Sequence, residues 1–236
     1  MRALAFLFLA AAALPAQVFE AASIKPGDQN ASEWKFGETE NGFNATNSPV
    51  RDLILYAYDV KDYQVSGAPR WSETARYTVV AKLENMPKAP QHGSESDPRI
   101  MAAMRALLAD RFHLQIHREK KAVPGYALAA WKGPLKMKKV EPGDSSWTMS
   151  GGKAAFHRSS LPDLAEGLAR ILGRPVIDES GIAGAYDVEL RWTTDSGTDG
   201  SPSIFGALQD LGLKLEGKKV PVDLIVIDRI EKPTPN

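Results

Sequence analysis

The stretch DPRIMAAMRALLADRFHLQIH, residues 97–117, decides the fold class because its apolar period changes midway. Asp97 is a helix cap, and Pro98 falls in the first turn, where its missing N–H costs nothing. Ile100, Met101, Met104, Leu107 and Leu108 then recur on one helical face as far as Arg111. From Phe112 the period drops to two: Phe112, Leu114 and Ile116 alternate with His113, Gln115 and His117, as in a strand with one buried face. A helix running into a strand predicts that Tyr126–Trp131 pairs back as a second strand after a turn at Val123-Pro124-Gly125.

Upstream, Val18–Lys25 reads as a strand, and Trp34–Phe36 with Phe43–Ala45 reads as a hairpin around Glu40-Asn41-Gly42. Pro49–Tyr58 carries Val50, Leu53, Ile54 and Ala57 at helical spacing, and Tyr63–Val65 and Tyr77–Leu83 read as strands. The second half follows the same plan. Asp52-Leu53 matches Asp163-Leu164 in a helix over Leu161–Leu172 capped by Ser160, and Tyr77-Thr78-Val79 matches Tyr186-Asp187-Val188. Ala106-Leu107 matches Ala207-Leu208, and Pro124 matches Pro221. The expected fold is therefore α+β, built of two repeated small units. Each is a helix, strand pair, helix and strand pair, with the helices on one face of a mainly antiparallel sheet. The expected divisions are an N-terminal β segment over 17–48, a first repeat over 49–132, a hairpin-containing junction over 133–159 and a second repeat over 160–236.

The first sixteen residues set the expected compartment. Met1-Arg2, twelve apolar residues from Ala3 to Leu14, and the small residue Ala16 form a Sec-type signal peptide with cleavage expected after Ala16. The run rises only about 18 Å as a helix, against about 30 Å of hydrocarbon, so the mature chain is expected to have no transmembrane segment and to be secreted or periplasmic. The 29 basic residues balance the 29 acidic ones, which argues against nucleic acid as the partner. With no cysteine there is no disulfide framework, thiol chemistry or thiolate metal site.

Catalytic signatures are sparse. His113 and His117 have ligand spacing for a helix, but on a strand they stand about 13 Å apart, and His92 and His157 have no ligand-spaced partner. Ser150-Gly151-Gly152-Lys153 lacks the leading glycine and the closing Ser or Thr of a phosphate loop, and there is no G-x-S-x-G elbow. Asp178 to Asp187 places acids around Gly181 and Gly184, so Asp178 and Asp187 are candidate metal ligands. The competing reading is a turn in which Asp178 accepts backbone N–H bonds. No cofactor is implied. Trp71, beside Arg70 in the turn Gly67-Ala68-Pro69-Arg70-Trp71, and Tyr58 are the candidate ligand-binding residues, since an exposed ring stacks on a sugar or peptide. The alternative is that Trp71 plugs the edge of a core.

Phe19-Glu20-Ala21-Ala22-Ser23-Ile24-Lys25-Pro26, Leu107-Leu108-Ala109-Asp110-Arg111-Phe112, Pro175-Val176-Ile177-Asp178, Gly184-Ala185-Tyr186-Asp187 and Leu211-Gly212-Leu213-Lys214-Leu215-Glu216 resemble the soil-associated secreted family of Acidobacteria and related bacteria called DUF3738. The likeness extends over nearly the whole mature chain. It implies an exported protein of a family without assigned function, whose domain also follows a membrane metallopeptidase sensor in some chains. A weaker likeness, at the level of fold, is to the short N-terminal domain of secretins and TonB-dependent transducers. The expected function is a non-catalytic binding or interaction module of the cell envelope, recognising an envelope protein, a peptide or a glycan. The alternative is a secreted hydrolase whose carboxylates, among Asp178, Glu179 and Asp187 or Asp110 and Glu119, meet only in the fold.

Overall fold

A computed structural model describes residues 18–31, 33–83, 96–193 and 202–233. The expected leader with its cleavage site, and His92, lie outside the described residues. In chain order the strands are β1 (Ala21–Pro26), β2 (Lys35–Thr39), β3 (Gly42–Pro49), β4 (Val65–Ser66), β5 (Arg76–Lys82), β6 (Gln115–Ala130), β7 (Lys138–Val140), β8 (Ser146–Ser150), β9 (Lys153–Ser159), β10 (Val176–Asp178), β11 (Ala185–Arg191) and β12 (Leu213–Arg229). The helices are α1 (Val50–Tyr58), α2 (Trp71–Thr74), α3 (Pro98–Arg111), α4 (Leu161–Leu172) and α5 (Ile204–Asp210).

Local chemistry accounts for the helix ends. The Asp97 side chain accepts the Arg99 N–H at 2.8 Å at the start of α3. Ser160 and Asp163 close a capping box on α4, which stops at Gly173 with φ 61°. One apolar face of each helix is buried: Ile100, Ala103, Met104 and Leu108 on α3, and Leu161, Leu164, Ala165 and Leu168 on α4.

Two compact units are present. One consists of the chain up to Val60, Val65–His117 and the chain from Val226; the other of Lys61–Gln64 and Arg118–Ile225. The first unit holds an antiparallel sheet of order β1-β5-β3-β2. Phe43, Ala45, Val79 and Ala81 on this sheet are buried, as are Val50, Leu53, Ile54 and Ala57 of α1. The second unit holds an antiparallel sheet of order β7-β11-β9-β8. Its core joins Ala154, Phe156, Val188 and Leu190 to Leu164 and Leu168 of α4 and Leu208 of α5. Putting β7, β8, β9 and β11 in the places of β1, β2, β3 and β5 gives the same strand order.

The structure is mixed α+β with mainly antiparallel sheets, but helix, strand pair, helix, strand pair is not the order of elements. A hairpin precedes α1 and another precedes α4, and each expected second strand pair is one long strand, β6 or β12. Val123-Pro124-Gly125 is thus not a turn. Gly125 lies within β6 where a Cβ would come 2.4 Å from the Pro175 carbonyl oxygen, and β6 pairs in parallel with β10 there (Tyr126 with Val176). Proline and glycine at that point serve a close approach of two backbones, which local signals cannot distinguish from a turn.

Candidate functional site

The hairpin of β8 and β9, with β11, builds an open concavity of the second unit. Gly151 and Gly152 form its two-residue loop, both with positive φ (52° and 76°), the geometry that suits the twist of the flanking strands. The glycines that resemble part of a phosphate loop are therefore hairpin residues. Side chains alternate faces across three strands in register. Trp147, Phe156 and Val188 form one row and Met149, Ala154 and Leu190 the next, on the side that α4 covers. Thr148, Ala155 and Glu189, then Ser150, Lys153 and Arg191, form the rows of the opposite face. These rows line a groove of about 500 Å³. Lys153, Glu189 and Arg191 are exposed, with Arg191 3.9 Å from Glu189, so the groove has a polar floor and one more positive charge than negative.

The outer edge of β8 is itself exposed along Ser146–Ser150, with Met149 49% and Trp147 36% accessible. Trp147 stacks on Phe156 at 5.8 Å between ring centroids and an interplanar angle of 13°, and the Arg170 guanidinium lies 5.9 Å from the Trp147 ring centre.

The residues singled out from the sequence lie elsewhere. Trp71 opens α2, half-buried, with Lys232 Nζ 5.8 Å from its ring centre; Arg70 beside it is exposed. Tyr58 ends α1 under the Arg105 guanidinium, 5.9 Å away, and Arg105 donates to the Ala57 carbonyl at 2.6 Å. The two rings thus face different cations.

Asp178 and Asp187 serve different structures. Asp178 Oδ1 accepts the Ser180 N–H at 2.9 Å, and Ser180 Oγ accepts the Ile182 N–H at 3.2 Å, so both side chains are spent in the turn after β10. Asp187 lies opposite a bulge: His157 and Arg158 of β9 face this one residue of β11, and Asp187 Oδ1 accepts the Arg158 N–H at 3.1 Å. That bond, with Lys138 at 3.5 Å and His157 at 3.9 Å, holds the Asp187 carboxyl below its ordinary range. Among the described residues no three of His, Asp and Glu converge as metal ligands would.

The remaining acids are mostly paired. Glu179 meets Lys218, Glu119 lies 3.8 Å from Lys121, and Asp110 is exposed. His117 lies 2.8 Å from Asp228, and His113 3.5 Å from Glu231.

Sequence reasoning missed two polar groupings. In the second unit Lys61, Tyr63, Glu166 and Asp178 line a groove of about 450 Å³ beside α4 and β10. Lys61, at 3.1 Å, holds the Glu166 carboxyl below its ordinary pKa and keeps it ionised, with help from Arg170; burial pushes the pKa of the Tyr63 hydroxyl up. Only the Glu166–Arg170 pair, four apart on a helix, is legible in sequence. In the first unit Glu38 Oε1 accepts from the Tyr56 hydroxyl at 2.7 Å and from the Asp97 N–H at 2.8 Å. Burial and the Glu38 carboxylate push the Tyr56 hydroxyl well above its usual range.

A family model described as "Protein of unknown function (DUF3738)" matches residues 51–230, and the chain belongs to this family. No curated protein and no solved structure matches it.

Proposed function

From that membership in a family without assigned activity, we propose that the chain is an exported, non-catalytic binding module of a bacterial cell envelope, recognising an envelope protein, a peptide or a glycan. The observation that carries the proposal is the open polar face of the β8-β9-β11 sheet, where Thr148, Ser150, Lys153 and Arg191 present hydroxyl and cationic donors over a floor made rigid by three strands in register. A hydrolytic carboxylate pair needs one acid held protonated. Glu166, in the groove beside α4, is instead held ionised by Lys61, and the Asp178 carboxylate beside it is committed to the Ser180 amide. Export follows from the leader read in residues 1–16, and no described helix is long and apolar enough to cross a membrane.

The test uses the mature protein on arrays of peptides and of cell-wall glycans. Binding is expected, and the double variant Lys153→Glu/Arg191→Glu should abolish it without altering the fold. Release of a cleaved product, or binding indifferent to both substitutions, overturns the reading. N-terminal sequencing of exported protein should begin at Gln17; a product retaining Met1 in the inner membrane overturns the export claim.

A further inference from the structure

An exposed strand edge is a hazard that folded proteins blunt with charge, proline or shortness. The other outer strands follow this rule among the described residues. β1 carries Lys25 and Pro26, β2 carries Lys35 and Glu38, β7 carries Lys138 and Lys139, and β10 and β4 span three and two residues. β8, Ser-Trp-Thr-Met-Ser, has none of these protections over five exposed residues.

We propose that β8 is a homodimerisation edge, on which a second copy of the chain adds its own β8 antiparallel about a twofold axis at Thr148. The hairpin dictates which groups face outward. Ser150 and Lys153 flank a two-residue loop and so exchange both main-chain hydrogen bonds; the alternation makes Thr148–Ala155 and Ser146–His157 the other bonded pairs. The N–H and C=O groups of Trp147 and Met149 therefore point to the free edge. A twofold axis at Thr148 places Trp147 opposite Met149 of the second copy, twice, which gives four main-chain hydrogen bonds made by those outward groups. Each Trp147 ring then meets a Met149 thioether, a favourable pairing. Ser146 faces Ser150, so no like charges oppose each other.

Charge complementarity outside the strand fits the same register. Asp144, two residues before β8, comes opposite Gly152 of the second copy, next to Lys153; both charged residues are exposed. The pairing joins the two Lys153–Arg191 grooves across adjacent Thr148 side chains. It needs no ligand, so its failure and that of the binding proposal are distinguishable.

Four hydrogen bonds and two Trp–Met contacts make a small interface, so dimerisation is expected to be reversible. Sedimentation of the purified mature protein from roughly 1 µM to 1 mM, a range that brackets such interfaces, should show the mass rising from monomer towards dimer. Met149→Pro removes an outward donor and no bond to β9; it should remain monomeric throughout with near-normal circular dichroism and melting. Asp144→Lys should weaken the dimer about 3-fold or more, and Asp144→Lys/Lys153→Asp should restore it, which provides a test should the proline variant fold poorly. A wild-type chain that stays monomeric, a folded Met149→Pro that still dimerises, or a charge swap that restores nothing overturns the proposal.

Discussion

The hairpins β2–β3 and β8–β9 hold the same place in their sheets and have the same loop length, yet their chemistry is opposite. Both close on two-residue loops, Glu40-Asn41 and Gly151-Gly152, and both lead directly into a helix. Both carry a bulge two residues before that helix: Thr46 and Asn47 face Thr78, as His157 and Arg158 face Asp187. The second bulge residue has positive φ in each, 53° at Asn47 and 48° at Arg158, and its N–H is taken by the side chain across the bulge, Thr78 Oγ1 at 3.4 Å or Asp187 Oδ1 at 3.1 Å. The backbone solution is shared, and the filling differs. Counting back from each loop, Glu38 occupies the position of Met149; counting along each helix, Tyr56 occupies that of Gly167. The first hairpin ties its outer strand inward by a carboxylate–phenol bond, with Phe36, Phe43 and Tyr56 clustered around it. In the second hairpin the Phe156 ring packs so closely on Gly167 that a Cβ there would come within 2.4 Å. The difference teaches that β2 is committed to its own core, whereas β8 is left free to meet something else.

The largest expected effect breaks the second arrangement. Gly167→Ala drives a methyl into the Phe156 ring and should cost about 1–3 kcal/mol in urea denaturation. A value within error of wild type would mean that the Phe156 contact is not tight. At the matching position of the first unit, Tyr56→Phe removes one of the two donors to Glu38 Oε1, leaving the Asp97 N–H, and should cost about 1–2 kcal/mol. Adding Glu38→Met, the residue β8 has there, should cost less than the sum of the two single variants, because the Tyr56–Glu38 bond is lost in each of them. A strictly additive double variant would show the pair is not coupled.

The pH dependence is a smaller effect. Glu166 is depressed from its ordinary 4.5, chiefly by Lys61, so the folded state favours the ionised form. Its contribution is fully present above about pH 4.5 and is lost as pH falls through the lower folded value. The side chain is half exposed and solvent-screened, so Glu166→Gln should remove less than about 1 kcal/mol and flatten the fall in urea midpoint below pH 4.5. An unchanged slope would place the acid sensitivity elsewhere. The smallest effect is at the bulges. Asp187→Ala should lower the melting temperature slightly more than Thr78→Ala, since an anionic acceptor bonds the bulge N–H more strongly than a hydroxyl. Added calcium or chelator should leave both shifts unchanged; a calcium-dependent rise lost in Asp187→Ala would revive the metal reading.

Much of the local structure was legible in the sequence. Asp97 with Pro98, and Ser160 with Asp163, mark helix starts because capping needs only residues two or three apart, and the Ser160–Leu172 pattern places its buried face by period alone. The hairpin at Glu40-Asn41-Gly42 was likewise within reach of local pattern. What only the tertiary structure decided are pairings between distant segments. Whether Pro124-Gly125 turns the chain or lets Pro175 approach depends on a strand some fifty residues away in sequence. The Lys153–Arg191 row requires the register of β9 with β11, and the Glu38–Tyr56–Asp97 bonds join three elements. Backbone preference acts over one or two turns of chain, whereas register, burial and polar pairing are set by which surfaces close on one another, and no spacing within a single segment encodes that choice.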